Sequence, residues 1–157
     1  MCHANRMPDR PIPAAMKQLL CPLMTPAQAF AAICLAAVGC DGQLGRDEAH
    51  ALRAQLEYRS PFSSSTEQQM GELFDALLTA LREHGWAELI ARAIPVLDQS
   101  QRETVLALAA HLVRADRQVQ PVEEQFLEEL SNRLELPPGR AQQILDVVSL
   151  LHRDALV

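Results

Sequence analysis

The chain has 157 residues, enough for one domain that buries roughly two-thirds of its unfolded surface in a single core. Its net charge is −6, and its thirteen arginines and single lysine, Lys17, are scattered along the chain. They form no basic stripe of the kind a phosphate backbone requires, which excludes nucleic acid as a partner. Apolar residues make up 48% of the chain but aromatics only 4%, so Ala and Leu must fill the interior, a composition suited to close-packed helices.

Residues 1–24 carry Arg6, Asp9, Arg10 and Lys17 among several prolines, with no continuous apolar region, and read as a flexible N-terminal arm rather than a secretory signal. That reading predicts a cytoplasmic protein. A short helical piece at Ala14–Leu20 is expected within the arm. The folded domain then runs over 25–157, with repeat one at about 25–84 and repeat two at about 100–153.

Thr25-Pro-Ala-Gln28 combines a capping hydroxyl, a proline at the first helical position and a Gln three residues on, predicting a helix to about Gly39. Its apolar stretch, Ala29 to Val38, covers about 15 Å, half of a hydrocarbon core, so it is a buried helix and not a membrane span. A second helix follows from Arg46 to about Tyr58, with Ala49, Leu52 and Leu56 on one face. Ser60-Pro61 and the serines after Phe62 interrupt the pattern. A third helix starts near Thr66, places Met70, Leu73, Phe74, Leu77, Leu78 and Leu81 at helical spacing, and ends at His84-Gly85.

A connecting helix, Trp86 to Ile94, is stopped by Pro95, and Ser100-Gln-Arg-Glu103 predicts a capping box opening a helix over Thr104–Ala115. Pro121–Leu134 and about Gly139–Arg153 complete the set, with Phe126, Leu127, Leu130, Ile144, Leu145, Val148 and Leu151 facing inward. No segment alternates like a strand. The fold class is all-α, with about seven helices.

The chain repeats itself at an offset of 75 residues: Ala32 matches Ala107, Val38 matches Val113, Gln43 matches Gln118 and Leu52 matches Leu127. Two copies of one supersecondary unit, each covering the other's apolar face, make a pseudo-twofold bundle of two helical repeats. The offset also pairs two acidic turns, Asp41-Gly-Gln-Leu-Gly-Arg-Asp-Glu48 and Asp116-Arg-Gln-Val-Gln-Pro-Val-Glu123. Each has the spacing of the last eight residues of an EF-hand loop, but Ala37, Gly39, Leu112 and Arg114 stand where its first ligands belong. Two readings of these acids stay open. Glu48 and Glu123 fall at third helical positions, where a carboxylate caps backbone donors and complements the dipole. Asp41 and Asp116 end helices, where a carboxylate opposes the dipole and needs turn amides, an arginine or a cation beside it.

Other candidates carry less. Cys2, Cys21, Cys34 and Cys40 form no CxxC pair and read as reduced thiols. His111 reads as a satisfied core histidine, His50, His84 and His152 as isolated and exposed or semi-exposed, and no zinc spacing links them to the cysteines. Trp86 and Phe62 read as core packing with a partner anchor as the alternative. No nucleophile elbow, phosphate-cradling loop or triad context is present, so no enzymatic activity is expected.

An apolar helix ending in an Asp-Gly turn, a Glu seven residues after the Asp, a Leu four further on, and a second copy after a central helix together resemble the TerB-like family of tellurite-resistance proteins. Thr25-Pro-Ala-Gln-Ala-Phe-Ala-Ala-Ile33 is similar to the opening of stand-alone members. The resemblance covers about residues 24–153. It implies a bacterial stress-response or tellurite-resistance role without a known reaction, and binding of a divalent metal ion through Asp41, Glu48, Asp116 and Glu123. Arg117 departs from the pattern, standing where Gly is expected, and its guanidinium beside Asp116 could replace a cation. Similar domains occur attached to J-domain co-chaperones, which keeps a protein-interaction module without metal as the alternative function.

Overall fold

The computed structural model describes residues 24–115 and 118–156. Among them are six α-helices: α1 (Pro26–Gly39), α2 (Arg46–Glu57), α3 (Glu67–Ala93), α4 (Gln99–Val113), α5 (Pro121–Arg133) and α6 (Arg140–Leu151). The third and connecting helices expected from the sequence are both present but run on as α3, bent at Gly85, whose φ of 80° and ψ of 165° interrupt the helical backbone. Short 3-10 turns at Phe62–Ser64 and Ile94–Val96 join neighbouring helices, and the Ser60-Pro61 peptide bond is cis. No described residue lies in a strand, and no helix among the described residues is long and apolar enough to cross a membrane.

The repeat is visible in the helix starts, since Pro121 opens α5 75 residues after Arg46 opens α2. At the centre lies α1, whose Ala29 and Ala31 through Ala37 are each at most 1% exposed. A helix apolar on every side must be covered on every side. Helices α2, α3, α4 and α5 all pack against it. Its small residues let these neighbours approach closely, and at Gly39 a Cβ would stand 2.8 Å from the Leu81 side chain of α3.

The expected core residues Leu52, Leu56, Met70, Leu77, Phe126, Leu127, Leu130 and Val148 are buried. Trp86 is half-buried and meets the edge of Phe126 with ring centroids 5.2 Å apart, which places it in packing, and Phe62 is buried. Leu151, expected inside, is 75% exposed. One helical turn after Val148 the inner face passes to His152, at i+4, and Leu151 turns to solvent.

The start of α4 also differs from the capping box expected at Ser100. Asp98 is the cap: its Oδ1 accepts from Gln101 N at 2.8 Å while Gln101 Oε1 accepts from Asp98 N at 2.9 Å. Asp is as good a cap as Ser and stands one position after Leu97, so the helix opens five residues before Thr104. Ser100 falls inside the first turn, where its carbonyl accepts from the Thr104 hydroxyl at 3.0 Å.

Four residues past that cap, Arg102 donates to three carbonyls, Leu97 O at 2.9 Å, Leu134 O at 2.9 Å and Ile94 O at 3.1 Å. One guanidinium thus ties the end of α3, the linker and the end of α5 to α4. Arg102→Met keeps the stem and removes the donors, and leaving part-buried carbonyls unpaired costs about 1–3 kcal/mol for each one that water cannot reach. Chemical denaturation of Arg102→Met is expected to show a loss of at least about 2 kcal/mol at unchanged m-value.

Candidate functional site

Helix α1 stops at the first acidic turn. Cys40 closes it, with its Sγ donating to Ala37 O at 3.4 Å, and Gly42, at φ 78°, takes the left-handed conformation that reverses the chain. Asp41 is exposed, and its Oδ1 accepts from Gln43 N at 2.9 Å, so a turn amide offsets the unfavourable end of the helix dipole. Glu48 stands at the third position of α2 and its Oε2 accepts from Gly45 N at 2.9 Å. Gly45 has no side chain to cap α2, so Glu48 and the adjacent Asp47 complement its dipole.

The second turn repeats half of this. Glu123 Oε2 accepts from Gln120 N at 2.7 Å, the same bond at the same helical position as that of Glu48. Glu123 is buried at 8% exposure, the one buried charged group among the described residues, whereas Glu48 is exposed. Asp116 and Arg117 lie outside the described residues, as do Cys2, Cys21 and the expected helical piece at Ala14–Leu20.

The two repeats meet at Cys40. Burial pushes its thiol up to about 12, and the charges of Glu123 and Asp41 push in the same direction, so a carboxylate from each repeat acts on one sulfur. Helix α1 packs against α5, which brings the start of the second repeat's acidic helix to the end of the first repeat's apolar one. Cys34, also free and buried in α1, is pushed up to about 12 by burial as well. Both thiols stay protonated and unreactive at neutral pH, in keeping with core filling. No group of three or more His, Cys, Asp or Glu among the described residues is arranged to hold a metal ion.

Beside the second turn is a pair that sequence spacing did not reveal. His111 of α4 is half-buried rather than in the core, and its Nδ1 lies 3.0 Å from Nε2 of His152, with ring centroids 5.0 Å apart. The rings share one proton, one nitrogen donating and the other accepting. Forty-one positions separate them, and only the packing of α6 on α4 makes them neighbours. They adjoin a pocket of about 240 Å³ lined by Arg114, Val119, Ser149, His152 and Asp154. Burial, then His111 and then Arg114 hold the His152 imidazole below the usual histidine range.

These features define a class: an all-helical domain of two repeats, with capped acidic turns at the ends of its buried helices. The chain belongs to the TerB family, for the family model described as tellurite resistance protein TerB matches residues 27–147. No curated protein and no solved structure matches the chain.

The lowered pKa of His152 makes the folded state the poorer proton acceptor. Its stabilising contribution is therefore complete above the unfolded value near 6.5 and declines as pH falls below it. Thermal melts of wild type and His152→Gln between about pH 7.5 and 5 test this, with the wild type expected to lose stability more steeply on acidification. Parallel curves would rule out a contribution from the histidine pair.

Proposed function

We propose that this TerB-family chain is a non-enzymatic, cytoplasmic stress-response protein of the tellurite-resistance type, whose acidic turns bind a divalent cation through Asp41, Glu48, Asp116 and Glu123. The observation that carries the reading is the convergence at Cys40, where Asp41 of one repeat and Glu123 of the other act on the same thiol. Asp41 and Glu48 each accept from one backbone amide through one oxygen, an arrangement that orients the carboxylate without neutralising it, and Glu123 repeats the bond of Glu48 in the second turn. Three such carboxylates do not enclose an ion by themselves. Calcium takes six to eight oxygens and magnesium keeps several waters, so an ion here would be held by a few carboxylate oxygens and otherwise hydrated. That donor set suits hard cations over zinc.

Asp41→Asn is the discriminating variant, because an Asn oxygen still accepts from Gln43 N and the turn is retained while the charge is lost. For EDTA-treated protein, magnesium, calcium or manganese at a hundred times its dissociation constant is expected to add about 2.7 kcal/mol of stability. That gain should shrink or vanish in Asp41→Asn. If no ion moves the wild-type melting temperature, the acids are helix caps and the cation reading fails.

One observation favours a second reading, a helical protein-interaction module that needs no metal. Helix α6 exposes Val147, Leu150 and Leu151 at 57%, 53% and 75%, three large aliphatic side chains close together on one element. On this reading a partner co-purifies stoichiometrically with the full chain in EDTA, and Leu150→Glu combined with Leu151→Glu abolishes the association. Capture unchanged by the double substitution would exclude α6 as the contact.

A further inference from the structure

The first turns of α1 and α4 and the bend after α2 enclose a cleft of about 510 Å³, away from both acidic turns. Its volume falls in the range of small-molecule sites, about 300–1,000 Å³. Its floor is apolar where Ala27, Phe30 and Phe62 line it, and Arg59 is the one charged residue in its lining. The Arg59 Nε is shut off from solvent and has no hydrogen-bond partner. No ion pair engages the guanidinium among the described residues, yet its charge is felt by the fully buried Cys34, so the group reaches toward the core. With Nε turned inward, the terminal N–H groups of the planar guanidinium are the donors that Arg59, as a lining residue, can offer to whatever occupies the cleft.

The surrounding polar groups complement an anion. The Thr25 hydroxyl accepts from Gln28 N at 3.2 Å and so retains its own hydrogen to donate, while Ser60 and Ser100 add hydroxyls to the lining. The cleft lies at the N-terminal ends of both α1 and α4, where the helix dipoles favour negative charge. A single cation matches a monoanion. A phosphate dianion would leave a charge uncompensated in a chain whose net charge is already −6. We propose that this cleft binds a small amphipathic carboxylate, with the carboxylate on the Arg59 fork and the hydrocarbon body against Phe30 and Phe62.

The test follows the backbone amide signals of the full-length protein by NMR during titration with octanoate, octanol or inorganic phosphate. Octanoate is expected to shift the amides of Ala27, Phe30, Arg59, Phe62 and Thr104, and to bind about tenfold or more tightly than octanol, the difference a charge-assisted contact makes. Arg59→Gln should bring octanoate down to the level of octanol, and Ala27→Leu, which narrows the cleft and keeps the arginine, should weaken both. Equal binding of octanoate and octanol, phosphate shifting these amides more strongly than octanoate, or no shifts at all would overturn the proposal. If Arg59→Gln fails to fold, the wild-type preference for octanoate over octanol and the weakening of both ligands by Ala27→Leu decide the matter.

Discussion

Everything in this domain depends on the burial of the middle of α1, from Ala31 to Ala37. A helix with no polar face cannot meet water, so four other helices close around it, and the small side chains of Ala29, Ala31, Ala32, Ala36 and Ala37 let them come close. Scarce aromatics follow from the same constraint, since a large ring would hold the neighbours apart. The two large aromatics that do pack together, Trp86 and Phe126, sit in α3 and α5, the helices that surround the central one.

A buried apolar helix must end somewhere, and its ends are where the acids gather. The carbonyls and amides left at a helix terminus need partners, and a short turn with a carboxylate at each end supplies them at small cost in chain length. Asp41 and Glu48 meet this need in the first repeat, and Glu123 does so in the second. The turns are not equal. Glu48 faces solvent and Glu123 is buried, and Gly42 holds a left-handed conformation at the position where the second copy has Arg117. Duplication therefore produced equivalent hydrogen bonds in unequal electrostatic surroundings, which is how one repeat can take on a role that the other only supports.

The acidic turns and the Arg59 cleft carry opposite charges at separate places. Asp41 and Glu123 both act on Cys40 at the C-terminal end of α1, and the Arg59 cleft lies at the N-terminal end of the same helix. Both follow the helix dipole in part, although Asp41 must be held against it by a turn amide. A single rigid core element thus separates a carboxylate-rich end from an anion-attracting one. Family membership is established for residues 27–147, and it speaks for the helical architecture rather than for a particular ligand.

What the amino-acid sequence determined by itself was local. Helix periodicity, the Thr25 cap, the Gly85 break, the 75-residue repeat and the helix-start roles of Glu48 and Glu123 all rest on interactions spanning three or four residues, or on a pattern copied along the chain. Even the misplaced start of α4 was an error of two positions in a cap, since both Asp98 and Ser100 are competent caps and only the backbone chose between them. The remaining features were decided by tertiary structure. His111 meets His152, Arg102 reaches Leu134 O and Arg59 faces a cleft between α1 and α4 because helices far apart in sequence pack side by side. A side chain's periodicity tells which face it occupies, and its partner on that face is set only when another helix arrives there.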